Sequence, residues 1–208
     1  MNTRDKATDA LIDRAKPFYD EQLPYHGWSH AEEVMSESDR IIRQMGSLGA
    51  NINRNITLIA AAWHDAGHED EQASDFESKE HYAVWLVKET IGNELEAREV
   101  DLIERSILAT RFGVSRLTPE EIILHYADMA NVGYDYDRFL EHTLRLWREY
   151  GCPEWHSFVN QSSRVILQTI DEAGSELPLI GLPIDGPDSF PVSARANLER
   201  LVRENTPQ

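Results

Sequence analysis

Apolar residues recur at three- and four-residue spacing through most of this chain, and they almost never show the period-two alternation of a half-buried strand. Helices packed on helices are therefore expected, as an all-α single-domain helical bundle over residues 1–208. Several helix starts are written in capping chemistry. The clearest is Thr118-Pro119-Glu120-Glu121: Thr118 caps, Pro119 takes the first position, where its missing N–H loses nothing, and Glu121 reaches back. Ser29 with Glu32, and Asn93 with Glu96, have the same spacing and predict starts at those points.

The expected helices run from about Lys6 to Tyr19, from Ser29 to Met45, from Arg54 to Asp65 and from Phe76 to Thr90. Further helices follow the boxes at Asn93 and Thr118, then cover about 136–150, 153–172 and 193–204. Gly46 to Asn53 reads as a connection and Glu69 to Asp75 as a solvated acidic loop. The run 174–191 interleaves Pro178, Pro183, Pro187 and Pro191 with Gly181 and Gly186, so a non-helical strap is expected. Its leucines and isoleucines imply packing on the motif-bearing core of about 20–172.

Composition narrows the partners. The 208 residues carry 37 acidic side chains and a formal charge of −17, which argues against a nucleic acid polymer, whose backbone needs a basic stripe. A small anion is still acceptable where a divalent ion supplies the positive charge. The single cysteine, Cys152, excludes an intrachain disulfide and fits a reducing compartment. No apolar run reaches the ~20 residues of a membrane span, and the first residues run into an amphipathic pattern rather than a signal peptide. A cytoplasmic protein without membrane partners is expected; a homodimer is compatible with the sequence.

Chemistry-bearing residues gather in three places. Tyr25-His26-Gly27-Trp28-Ser29-His30 precedes one helix, Trp63-His64-Asp65-Ala66-Gly67-His68 ends the apolar run from Ile56, and Asp128 sits among apolar neighbours after Leu124-His125-Tyr126-Ala127. A carboxylate in such surroundings needs a partner once buried, either an arginine or a metal. His64 and His68, four apart, share a face if their helix persists, whereas Asp65 is turned by about 100°. Two histidines and two aspartates form a nitrogen and oxygen donor set suited to Mn, Fe, Co, Ni or Zn. The other histidines, His125, His142 and His156, are read as packing residues, as are Trp28 and Trp63.

The succession His30, His64-Asp65, Asp128 resembles the histidine–aspartate (HD) superfamily of metal-dependent phosphohydrolases, an all-α fold. Tyr25 to Val34 is similar to the YHNxxHAxDV signature of the cyclic nucleotide phosphodiesterases in that superfamily, with Gly27 replacing its Asn and Glu33 its Asp. His64 to Glu69 resembles their HDxxHPG motif, with Glu69 replacing Pro. The resemblance spans residues 25 to about 133.

It implies that His30, His64, Asp65 and Asp128 hold a first metal and that Asp65 can bridge to a second ion, with Mg an option there. It also implies that His68 faces that second position and that His26 donates a proton to the leaving oxygen. Glu69 and Glu77 are candidate orienters. Lys79, Arg111 and Arg116 are the basic residues near the motifs, and Arg111 and Lys79 are the candidates for substrate phosphate. The expected activity is hydrolysis of a small-molecule phosphate ester, favouring a nucleotide. The alternatives are an HD-type di-iron oxygenase, for which only His81 and His125 lie between the dyad and Asp128, and a non-catalytic binding domain, which should have lost ligands.

Overall fold

The computed structural model describes residues 6–46 and 52–205, and among them every regular element is helical. The α-helices are α1 (Lys6–Asp13), α2 (Trp28–Gly46), α3 (Arg54–Trp63), α4 (Lys79–Thr90), α5 (Ala97–Leu108), α6 (Pro119–Asp128), α7 (Tyr136–Glu149), α8 (Trp155–Glu176) and α9 (Phe190–Asn205). The all-α expectation holds. The chain packs as two compact units, residues 1–128 and 129–208.

The first unit is built around α3. Its residues from Ile56 to Trp63 are all buried, and α1, α2, α4, α5 and α6 pack against it. A helix that is apolar on every side must be covered on every side, so the packing follows from the composition of Ile-Thr-Leu-Ile-Ala-Ala-Ala-Trp. Asn53 caps it through its side-chain oxygen, which accepts from the Ile56 N–H at 3.3 Å. The consequence for function is positional: whatever follows Trp63 emerges at the end of a fully enclosed rod.

In the second unit Val132, Phe139, Val159, Ile166, Ile170, Ala194, Leu198 and Leu201 form a core among α7, α8, α9 and the 3₁₀ turn Met129–Gly133. Asn197 is buried on the core side of α9 and donates to the Val132 and Tyr134 carbonyls at 2.9 and 2.7 Å.

Several boundaries depart from the sequence-based expectation. α1 stops at Asp13, and Lys16–Phe18 forms a 3₁₀ turn with Pro17 inside it, so the expected helix to Tyr19 is broken. Ser29 is an exposed residue within the first turn of α2, which begins one residue earlier, so it is not the cap. α3 ends at Trp63 rather than Asp65. The acidic loop contains a 3₁₀ turn, Glu71–Asp75, and α4 starts after Ser78, which caps it.

The capping box of α5 is Glu96 with Glu99; Asn93 belongs to the 3₁₀ turn Gly92–Glu94. α8 continues to Glu176, and Leu177–Ile180 then forms a 3₁₀ turn with Pro178 where no N–H is needed. α9 takes Pro191 into its first turn and so starts at Phe190. The strap is therefore shorter than expected, with Leu177 and Ile180 buried but Leu179 and Ile184 exposed. Of the expected connection at Gly46 to Asn53, residues 47–51 lie outside the described residues. The start of α6 matches its reading: Glu121 Oε2 accepts from the Thr118 N–H at 3.3 Å, and the Glu121 N–H donates to Thr118 Oγ1 at 3.4 Å.

Candidate metal centre

Helix α3 delivers His64 and Asp65 into a turn. Continuation of the helix is blocked at Gly67, whose φ is +73° and whose N–H donates to the Phe18 carbonyl at 2.8 Å. A side chain at Gly67 would place its Cβ 2.5 Å from Tyr82 Cε1, so only glycine fits. Asp70, at the far end of the turn, accepts from the Tyr82 hydroxyl at 2.7 Å. His64 and His68 therefore do not share a helical face; the turn, not a helix, sets their relation.

Three separate segments converge here. His30 lies in the first turn of α2, His64 and Asp65 follow α3, and Asp128 is the last residue of α6. His30, His64 and Asp65 each present a donor atom within 4.8 Å of the other two. His30 Nε2 is 3.0 Å from Asp128 Oδ1 and 3.5 Å from Asp65 Oδ2. His64 Nε2 is 3.0 Å from Asp65 Oδ2 and 3.6 Å from Asp128 Oδ1. His30 and His64 are only 5% and 1% exposed. All four expected ligands come together.

His64 carries the most specific signal. Its Nδ1–H donates to the Ala61 carbonyl at 2.8 Å, which orients the ring and turns Nε2 towards the carboxylates. Nε2 is buried and makes no hydrogen bond of proper geometry despite the nearby oxygens. Burial works against charge on His64, but Asp65 and Asp128 overcome it and hold the ring well above its ordinary basicity. Burial likewise raises the two carboxyls, and the histidines more than reverse this: His64 chiefly for Asp65, His30 and His64 for Asp128. Both acids are held well below the usual carboxylate range. The cluster is arranged to hold a cation, whether proton or metal.

Around it, His68 Nδ1 is 3.7 Å from Asp65 Oδ1, on the opposite carboxylate oxygen from His64. Both nitrogens of His68 are buried without a hydrogen bond. Its ring stacks on His26 at 3.8 Å and 14°, and His26 meets His30 edge-on at 5.8 Å. Glu69 Oε1 lies 3.6 Å from His68 Nε2 and is paired with Lys79 Nζ at 2.9 Å. Arg111 is paired with Glu77 at 3.3 Å. Buried Arg116 donates to the carbonyls of Ala109 and Arg111, a structural use of its charge at the end of α5. His81 engages Ser78 and Glu77, and His125 packs against Phe112 and Tyr126. Trp63 is fully enclosed, and its Nε1–H donates to the Leu11 carbonyl at 3.1 Å, so it is a packing residue.

One participant has no motif to announce it. Tyr19, buried, donates its hydroxyl to the Ala62 carbonyl at 2.9 Å and accepts from the Asp65 N–H at 3.3 Å. Burial first, and the Asp65 carboxylate second, push its hydroxyl well above the ordinary tyrosine value, so it stays protonated. Its place in the sequence, second after Pro17 and next to Phe18, carries no spacing signal.

No family model and no curated protein matches the chain. Solved structures do: 19 chains share significant structural likeness. Among them is a crystal structure of a Lactobacillus plantarum protein, a structural-genomics target, with a TM-score of 0.59 and 16% identity. The match covers 98% of this chain and 95% of that one, and at this identity it establishes the fold alone. Among the described residues, no helix is long and apolar enough to cross a membrane.

Proposed function

We propose that this chain hydrolyses a phosphate ester of a small molecule, with nucleotides the favoured class, using a divalent transition metal held by His30, His64, Asp65 and Asp128. The observation that carries this reading is the buried, unbonded His64 Nε2 facing two carboxylates while its other nitrogen is pinned to a backbone carbonyl. The donor set fits Mn, Fe, Co, Ni or Zn. Held by these four residues, such a metal would supply hydroxide by lowering the pKa of a bound water to about 7 and would act as a Lewis acid toward the phosphoryl group.

The remaining work belongs to the chain. His26, the histidine stacked on His68 beside His30, gives its proton to the leaving oxygen as the P–O bond breaks and the water oxygen joins phosphorus. Glu69, 3.6 Å from His68 Nε2, is the candidate orienter of that ring, and Asp65 would be the residue shared with a second ion, with Mg an option there. Lys79 and Arg111 are the candidate phosphate contacts. Each is paired with an exposed acid, 51% for Glu69 and 70% for Glu77. Such pairs contribute about 0–1 kcal/mol, so a phosphate can replace the carboxylate readily.

The test reloads metal-stripped protein with Mn, Co, Ni or Zn and screens nucleotides, cyclic nucleotides and simple phosphoesters for phosphate or alcohol release. Asp65→Ala should lose turnover with the fold intact. His26→Ala should lower kcat by about 10²–10⁴ while retaining metal, whereas His64→Ala should lose both. Equal metal loss in His26→Ala and His64→Ala would remove His26 from proton donation. Consumption of dioxygen on another substrate, with no phosphoester cleaved under any metal, would overturn the hydrolase reading.

A further inference from the structure

The turn that presents His64 and Asp65 is held by the segment preceding the first histidine motif. Every helix C-terminus leaves four carbonyls without an intrahelical partner, and at the end of α3 two of these are served by side chains. The Ala61 carbonyl is taken by His64 Nδ1–H, and the Ala62 carbonyl by the Tyr19 hydroxyl. That hydroxyl then accepts the Asp65 N–H, one step past the helical ladder. Phe18 takes the Gly67 N–H at 2.8 Å, and Leu11 takes the Trp63 indole N–H at 3.1 Å. Residues 11–19 thus bond to both sides of the dyad. The Tyr19 ring meets Trp28 edge-on at 5.4 Å, two residues before His30, so one side chain touches both histidine-bearing segments.

We propose that Tyr19 is a positioning residue for the metal centre: its hydroxyl ties the end of α3 to the Asp65 backbone and sets the Asp65 carboxylate against His30 and His64. This rests on the metal reading above. The side chain touches no donor atom of the ligand set; it acts through the backbone of one. Removing the hydroxyl while keeping the ring leaves the contact with Trp28 in place and frees the Asp65 amide.

The test uses the full chain with Mn²⁺ as probe. Tyr19→Phe should weaken Mn²⁺ binding by about tenfold, the lower edge of the effect of partners that orient a ligand. It should also alter the Mn²⁺ electron paramagnetic resonance line shape. Tyr136→Phe, which loses a hydroxyl bond to Glu204 at 2.7 Å in the second unit, should bind Mn²⁺ as the wild type does.

In metal-stripped protein the Asp65 amide should be protected from hydrogen exchange like the α3 amides, and its resonance should shift in Tyr19→Phe. This readout needs neither metal nor activity. An unprotected Asp65 amide in the wild type overturns the proposal even if the variant fails to fold. Wild-type binding with an unchanged constant in Tyr19→Phe removes the positioning role and leaves the metal centre standing. A wild type that binds no Mn²⁺, with the Asp65 amide protected, removes the metal reading and this role with it.

Discussion

Helix α6 carries an acid at each end, and the two are treated in opposite ways. At its start Glu121 is buried and fully served: it accepts from the Leu117 and Thr118 N–H groups at 2.6 and 3.3 Å and from Arg105 at 2.6 Å. The positive end of the helix dipole adds to this. At its other end Asp128 stands where the dipole disfavours an anion, beside a second carboxylate, Asp65, and opposite two imidazoles. Among the described residues no lysine or arginine pairs with either aspartate. Glu121 is served by backbone N–H groups and an arginine; Asp128 and Asp65 face imidazoles, in a cluster that could hold a metal ion. That contrast separates an acid neutralised by the polypeptide from one left facing titratable partners, and it marks Asp128 as the candidate for the proposed function.

The largest expected effect breaks the contrast directly. Asp128→Ala should abolish measurable Mn²⁺ binding, since it removes one of the four proposed ligands. Glu121→Ala should leave the Mn²⁺ dissociation constant unchanged and destabilise the chain by about 2 kcal/mol, the sum of a lost cap and a lost charge-assisted bond. Arg105 is 43% exposed, so the penalty stays below the 3–5 kcal/mol of a fully buried broken pair. Urea melts and Mn²⁺ titrations of both variants decide it. Retained binding in Asp128→Ala, or weakened binding in Glu121→Ala, would erase the distinction.

The acids of α6 and the histidine that faces Asp128 should differ in the sign of their pH dependence. Burial raises the Glu121 carboxyl, but the Leu117 N–H, Arg105 and the Thr118 N–H outweigh it and hold the group below its ordinary range. Its contribution is complete above the unfolded value of about 4.3 and is lost as pH falls through the folded value. The two aspartates share that sign.

His64 is shifted upward, so in metal-stripped protein its contribution is complete below about pH 6.5 and is lost as pH rises through the folded value. Mn²⁺ must displace that proton, so its affinity should rise with pH and its binding should release protons. Denaturant midpoints of the stripped protein should decline on the alkaline side, and those of the Mn²⁺-loaded protein should not. Parallel alkaline profiles would show that His64 carries no such proton.

What could be read from the sequence was what is encoded locally. The helical period, the Thr118 box and the residue types of the three motifs are all contained within a few positions, and the structure brings those motifs together. What could not be read depends on contacts distant in the chain. α3 stops at Trp63 because the Gly67 N–H finds Phe18 and a side chain at Gly67 would strike Tyr82. Tyr19 reaches Asp65 across 46 positions, a relation that no spacing rule contains. Ser29 and Asn93 show the converse error: a box is a pattern of types, and Ser29-x-x-Glu32 and Asn93-x-x-Glu96 have the types without the geometry.

The smallest prediction turns that error into a measurement on two hydroxyls. Thr118 and Ser29 both stand three residues before a glutamate near the start of a helix. Thr118 Oγ1 accepts the Glu121 N–H, which the helical ladder cannot serve, so Thr118→Ala should lose about 1 kcal/mol. Ser29 is exposed and already inside α2, where alanine is the better helix former. Ser29→Ala should therefore be neutral or stabilising by about 0.5 kcal/mol or less. Urea midpoints at one pH, with unchanged m-values, separate the two, because an altered m-value would report a change in the denatured state instead. A loss at Ser29 equal to that at Thr118 would restore the hydroxyl as the cap of α2 and move the start of that helix to His30, placing the first ligand at its opening residue.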